Sequence, residues 1–505
     1  MNEKKKKRPG KRKLTELLNP KNLVKEIDGY GYKFSMGRYA AMIVLSLLAT
    51  VALGIVFSLG WEYILFLTLS FLLFLPGMII DGYKNMYEHR RFLDLADYME
   101  QILYSFKTDQ KILSALRDTE TLFEGNMKSV ISEAAGYIEA GHSEHDLYRE
   151  AFEKIEQEYP DKHLRAVHDY MQTVERNGGD SDASVDMLLH IKNIWADNIL
   201  LLQEEKKQKR GLILGALLIT IGFAAMFHGV YRQMPEQFSI VHLPAMQIVT
   251  TVYLFLDLLI YRKANRAIAR SWTERDSEKE EQKICGYYDM IQNYDMKKEQ
   301  KKSVLFALPA LAGAVLCFVF GRNIPAAGFL AFAAFLFNQH RIGYRIAYDK
   351  VVEEINAAFP QWLMQMALLL QSNNVRRSIE SSISGAPKIL KPELETLVND
   401  LKGMPNSERP YLAFLKRFHL SPVQSAMKML YSISSLGSGE VATQVKALVE
   451  RNSKMLDQSE KRKNEKNLAG VTSLFYLPQA TVSLQLLAGM FIMLLTFFTG
   501  LASYF

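Results

Sequence analysis

The chain has 505 residues, 49% hydrophobic and 23% charged, with a formal net charge of +7. That length exceeds one ordinary soluble domain, and only two cysteines are present, Cys317 in an apolar run and Cys285 in a lysine-rich segment, so no disulfide framework is indicated. Apolar and charged residues are segregated rather than mixed, which points to a polytopic membrane protein.

Residues 1–38 form a basic tail with twelve Lys and Arg. Next to an apolar run, such a tail reads as a topology anchor and a contact for anionic membrane lipids, rather than as a nucleic-acid arm. The first apolar run, Tyr39 to Leu59, is too long for a cleavable signal core and is expected to remain as an anchor. With Tyr63 to Ile80 it forms a hairpin over 39–80. Residues 81–210 are polar, with helical periodicity: Phe92 to Phe106 is amphipathic, and Val185, Leu188, Ile191, Trp195 and Ile199 share one helical side.

Further runs at Gly211 to Gly229 and Leu243 to Leu256 give two more spans over 211–261. Asp257 interrupts the second, close to Arg262 and Lys263, and is expected to be an interfacial carboxylate. A charged linker, 262–302, leads to a second hairpin over 303–337 (Ser303 to Gly321 and Ile324 to Phe337). A second polar stretch, 338–467, contains Pro360, Pro387 and Pro392 at expected helix boundaries, and 468–505 closes the chain as one long span. A helix needs roughly 20 apolar residues to cross a bilayer, and most runs approach that length. The sequence therefore predicts an all-α membrane protein with seven crossings. Lys and Arg cluster on one side of the runs and only Arg232 and Arg322 lie on the other, so the amino terminus and both polar stretches are expected in the cytoplasm and the carboxyl terminus outside.

The chain repeats itself. At an offset of 263, Ala96, Met99, Leu103 and Phe106 fall on Phe359, Trp362, Met366 and Leu369, and Ile112 and Leu116 on Val375 and Ile379. At 262, Gly141, Ala151 and Phe152 fall on Gly403, Ala413 and Phe414. At 260, Gly179, Asp180, Val185 and Leu188 fall on Gly439, Glu440, Val445 and Leu448. Each copy reads as a hairpin, a helical bundle and one span leaving it. Three crossings per copy is an odd number, so the additional passage near Leu243 to Tyr261 is needed to return the second bundle to the first one's side.

Little catalytic chemistry is written in the chain. Gly136 to Ser143 has phosphate-loop spacing, but His142 replaces the essential lysine and the segment is helical. His142, Glu144, His145 and Asp146 read as a polar turn. His163 and His168, five residues apart, splay on a helix and read as solvated surface. No catalytic, cofactor-binding or metal-binding residue is predicted. The candidate turn and partner-contact residues are Gly178, Gly179, Asp180, Gly437, Gly439 and Glu440, where glycine can end one helix and the acid or a serine can cap the next.

KILSAL at Lys111 to Leu116, NVRRSI at Asn374 to Ile379, NGGDSDASVDML and GSGEVATQVKAL together resemble the F-type inner-membrane platform proteins of type II secretion and type IV pilus machines. The arrangement is most like the paired platform subunits of tight-adherence (Tad) pili, here joined in tandem. Asn373-Asn374 replaces the early glycine, and Gly439-Glu440-Val441 lacks the second glycine of the late motif. The resemblance implies a non-enzymatic platform in the bacterial cytoplasmic membrane, without cofactors. Its implied partners are a hexameric motor ATPase, pilin subunits, lipids and further copies of itself, with no nucleic acid. A membrane receptor or signalling scaffold is the alternative, and a transporter the third reading.

Overall fold

The computed structural model describes residues 19–141, 146–177, 181–235, 239–269, 277–370, 373–435 and 438–502. Among them the regular elements are all helical, as the sequence predicts. The helices are α1 (Pro20–Gly29), α2 (Met36–Val56), α3 (Trp61–Asp109), α4 (Ile112–Leu122), α5 (Gly125–Ala140), α6 (Leu147–Glu158), α7 (Lys162–Asn177), α8 (Ser181–Arg232) and α9 (Pro244–Ile268). There follow α10 (Ser277–Gln292), α11 (Met296–Val319), α12 (Asn323–Leu369), α13 (Val375–Ser382), α14 (Lys391–Gly403), α15 (Arg409–Ala413), α16 (Ser421–Ser435) and α17 (Ser438–Ala502).

Six of these are long and apolar enough to cross a membrane: α2, α3, α8, α9, α11 and α17. The predicted sixth crossing, 324–337, lies within α12 but falls outside this set among the described residues. Its uncharged run is 14 residues, about 21 Å of helix, before Asn338, Gln339, His340 and Arg341 follow.

The chain divides into two compact units. The first comprises 1–98, 196–272 and 462–505. The basic tail is not featureless there: Asn19 caps α1, with Pro20 in the first turn, and Leu23 and Ile27, one helical turn apart, are fully buried with Leu75 and Ile79. Ser35 caps α2. The turn after α2 places Ser58 at φ 46°. Gly54 is needed for the close approach of α2 to α3, since a Cβ there would stand 2.5 Å from Ile64. Gln247 at the start of α9 fastens this turn. Its side-chain oxygen accepts from Gly60 N (2.7 Å), and its amide donates to the carbonyls of Ser58 (2.9 Å) and Val241 (2.7 Å).

The second unit comprises 99–195 and 273–461. Here α5, α6 and α7 pack in sequence, and α4 lies on α5 and α7. The stripe read from the sequence is the core: Met99, Leu103, Phe106, Ile112 and Leu116 are buried, as are Phe359, Trp362, Met366, Val375 and Ile379. Leu369 is half-buried and its place in the core is taken by Leu370; Ala413 is exposed, whereas Ala151 is buried. Pro392 sits in the first turn of α14 and Pro387 between helices, as expected. Pro360 lies inside α12 instead of at its boundary. Burial on both sides keeps the helix continuous there, and Asn452 donates its amide to the Pro360 carbonyl at 2.6 Å.

Candidate functional site

The turn residues singled out by sequence are divided by the structure. Gly178, Gly179, Asp180 and Gly437 lie outside the described residues, between α7 and α8 and just before α17. Gly439 and Glu440 fall in the first turn of α17, inside the helix rather than in the turn before it. The early motif of the second copy does have a capping role: Asn374 is the N-cap of α13, its side chain accepting from Arg377 N at 2.9 Å. The departure from glycine at that position thus has a local reason.

A polar constellation on α6 and α7 includes His168, which the sequence reads as solvated surface. His168 is completely buried, stacked on Phe152 with ring centroids 3.9 Å apart, and its Nδ1 lies 3.1 Å from Glu156 Oε1. The other Glu156 oxygen accepts from Arg149 (3.2 Å) and Arg165 (3.1 Å), and Arg149 also pairs with Asp169 at 2.8 Å. Burial holds the His168 imidazole below its ordinary value against the pull of Glu156. Burial pushes Glu156 up, but His168, Arg149 and Arg165 outweigh it and hold the carboxyl below its ordinary value. His163 is also buried, with Nδ1 3.0 Å from Asp161 and its ring against Trp195. The signal was available: His168 is four residues after Leu164 and three before Met171, on the stripe with Val167 and Val174.

A polar cluster ties helix α10 to α14 and to the segment after α15. Tyr288 donates its hydroxyl to Glu393 Oε1 at 2.5 Å, and Arg417 reaches both Tyr288 (3.0 Å) and Glu393. Phe418 and Tyr348 pack around it. These clusters tie helices together, and none is arranged around an open pocket. A cavity of about 20 Å³ beside His89, Gln203 and Lys206 holds no more than a water molecule. Among the described residues no group of His, Cys, Asp or Glu is placed to hold a metal ion.

Comparison with protein-family models, curated proteins and solved structures finds no match. The local geometry of the chain therefore carries the functional argument.

In the first unit α8, α9 and α17 pack through Ile213, Leu217, Ile260, Ala264, Ile268, Val471 and Leu474. Their contact also encloses polar residues, and Asp257 is among them. It is 3% exposed, thirteen residues into α9, and so faces neighbouring helices instead of solvent. Thr250, Tyr253, Asp257, Ile260, Ala264 and Ile268 form one buried stripe at spacings of three and four, which directs Asp257 into the helix contact.

Proposed function

We propose that this chain is a non-enzymatic platform of the bacterial cytoplasmic membrane for Tad-like type IV pilus assembly or type II-like secretion. It couples a separate hexameric motor ATPase to the insertion of pilin subunits into a filament. The observation that carries the reading is helix continuity. Helices α3, α8 and α17 each run as one helix between an apolar span and a polar segment, with Pro76 inside α3 and Pro478 inside α17, over 49, 52 and 65 residues. At 1.5 Å per residue, α3 is about 74 Å long, more than twice the roughly 30 Å of a hydrocarbon core. Removing a pilin helix of about 20 apolar residues from the bilayer is costly, so energy must enter from outside this chain and travel through stiff elements.

The tandem reading draws on the element bounds as well as on the residues. Displaced by 263, α3 covers 324–372, and α12 occupies Asn323–Leu369. The start of α4 at Ile112 falls on the start of α13 at Val375. Displaced by 260, α7 covers 422–437, where α16 occupies Ser421–Ser435. In this reading there are seven crossings, the short run 324–337 among them. Both bundles are cytoplasmic, and the carboxyl terminus is outside. The glycine-acid turns at Gly178 to Asp180 and Gly437 to Glu440 are contact points for the ATPase, and copies of the chain associate.

The test is co-purification in mild detergent, in which a motor ATPase and a pilin travel with the chain, together with deletion, which abolishes surface filaments. A deletion strain with normal filaments ends the platform reading. One observation favours a transporter instead, the buried Asp257, and unchanged filaments with altered ion or solute uptake would be that reading's signature.

A further inference from the structure

Asp257 sits thirteen residues after the start of α9 and five before Arg262. Its Oδ1 lies 2.8 Å from Thr481 Oγ1 on α17. Thr481 has a single hydroxyl proton and a second acceptor, the Pro478 carbonyl, at 2.9 Å. The carboxyl therefore receives at most one shared hydrogen bond from it. Oδ2 is buried without a partner. Around this level Thr250 Oγ1 and Gln485 Oε1 are also buried without a partner, in residues 4% exposed or less, and the Tyr253 hydroxyl faces the Asp257 carboxyl.

On the same helices several other buried polar groups are satisfied, although both ring nitrogens of His228 on α8 are buried without a partner. Gln247 makes three hydrogen bonds, Thr251 donates to the Gln247 carbonyl, and Thr220 donates into its own helix. On α9 and α17 of this unit the open oxygens include Asp257 Oδ2, Thr250 Oγ1 and Gln485 Oε1. The groups acting on Asp257 are Thr481 from α17 and Tyr253 from its own helix, neither of them basic. Arg262, five residues on, is turned onto the face of Phe74 at 4.1 Å. A bare carboxylate in such surroundings is one of the most costly groups a protein can bury, and it persists only with a positive charge beside it.

We propose that Asp257, with the oxygens of Thr481 and Tyr253, binds one monovalent cation inside the membrane-spanning unit, either a proton or a sodium ion. A single carboxylate balances a single charge, and the surrounding atoms are oxygens, which suit a proton or an alkali ion and not a transition metal. The proposal does not depend on the platform reading.

The test uses the full chain in detergent or nanodiscs, with Asp257→Asn as the neutral counterpart. If the ligand is a proton, the infrared spectrum at neutral pH contains a protonated-carboxyl band that disappears in D257N. Unfolding of the wild type then does not respond to sodium. If the ligand is sodium, the band is absent, and replacing choline by sodium at equal ionic strength raises the unfolding midpoint of the wild type but not of D257N. Each tenfold rise in sodium beyond half-saturation then adds about 1.4 kcal/mol. Should D257N fail to fold, Thr481→Val removes one hydroxyl and must shift the band or weaken the sodium response. Absence of both the band and the sodium response, or indifference of both to these substitutions, overturns the proposal.

Discussion

Asn464 donates its side-chain amide to the backbone carbonyl of Asn198 at 2.9 Å, joining α17 to α8 across 266 positions of sequence. Both residues are buried, just ahead of the apolar stretches of their helices. The bond fixes the relative rotation of two helices that otherwise meet through aliphatic side chains. Asn464→Ala is expected to lower the unfolding free energy by about 1 kcal/mol. In detergent this is read as an earlier thermal midpoint.

Gln247 closes the α2 turn with three hydrogen bonds, one of them to the Gly60 N–H. Gln247→Leu preserves most of the volume but leaves these backbone groups without their partner. A loss of about 2–4 kcal/mol is expected, larger than for Asn464→Ala because several groups are orphaned at once. Limited proteolysis near Ser58 checks it: cleavage there rises in the variant.

The first copy should lose stability on acidification in two steps. His168 is held below its ordinary value of 6.5, so the unfolded chain takes up that proton first, and stability present above about pH 6.5 declines as pH falls through the folded value. Glu156, also depressed, adds a second decline from about 4.5 downward. Asp169 is held above its ordinary value chiefly by burial, so its contribution has the opposite sign and is lost as pH rises through the acid range. His168→Phe can still stack on Phe152; it removes the upper step of a pH-dependent unfolding curve and shrinks the lower one, because His168 is the first of the groups that hold Glu156 down.

Tyr288→Phe removes one hydroxyl from the cluster with Glu393 and Arg417. The loss is about 1 kcal/mol, which appears as severalfold faster hydrogen exchange in α10 with the remaining helices unchanged.

The proposed topology makes Cys285, half-exposed on α10, a cytoplasmic thiol. A maleimide that cannot cross membranes is expected to label it in inverted vesicles and to spare it in intact cells. The reverse result would invert the orientation.

What could be read from the sequence was what periodicity and hydropathy encode. Six of the seven apolar runs lie in membrane-length helices, and the stripe through Met99, Leu103 and Phe106 is core because residues three and four apart share a helix face. The failures came from judging residues by chemical type before position. Polarity points His168 to solvent, although its spacing places it on a buried stripe, and the same kind of spacing turns Asp257 into a helix contact. The packing of α1 through Leu23 and Ile27 was hidden by the basic residues around them. Other features had no local signal: the pairing of Gln247 with a turn 187 residues earlier, or of Tyr288 with Glu393, depends on tertiary packing alone.

Pro478 interrupts the backbone hydrogen-bond ladder of α17 three residues before Thr481. The compliance of this 65-residue rod is consequently concentrated close to the one hydroxyl that touches Asp257. Flexing at that joint would move the Thr481 hydroxyl relative to the Asp257 carboxyl, so mechanical strain and the charge state of that carboxyl are governed at nearly the same point of the helix.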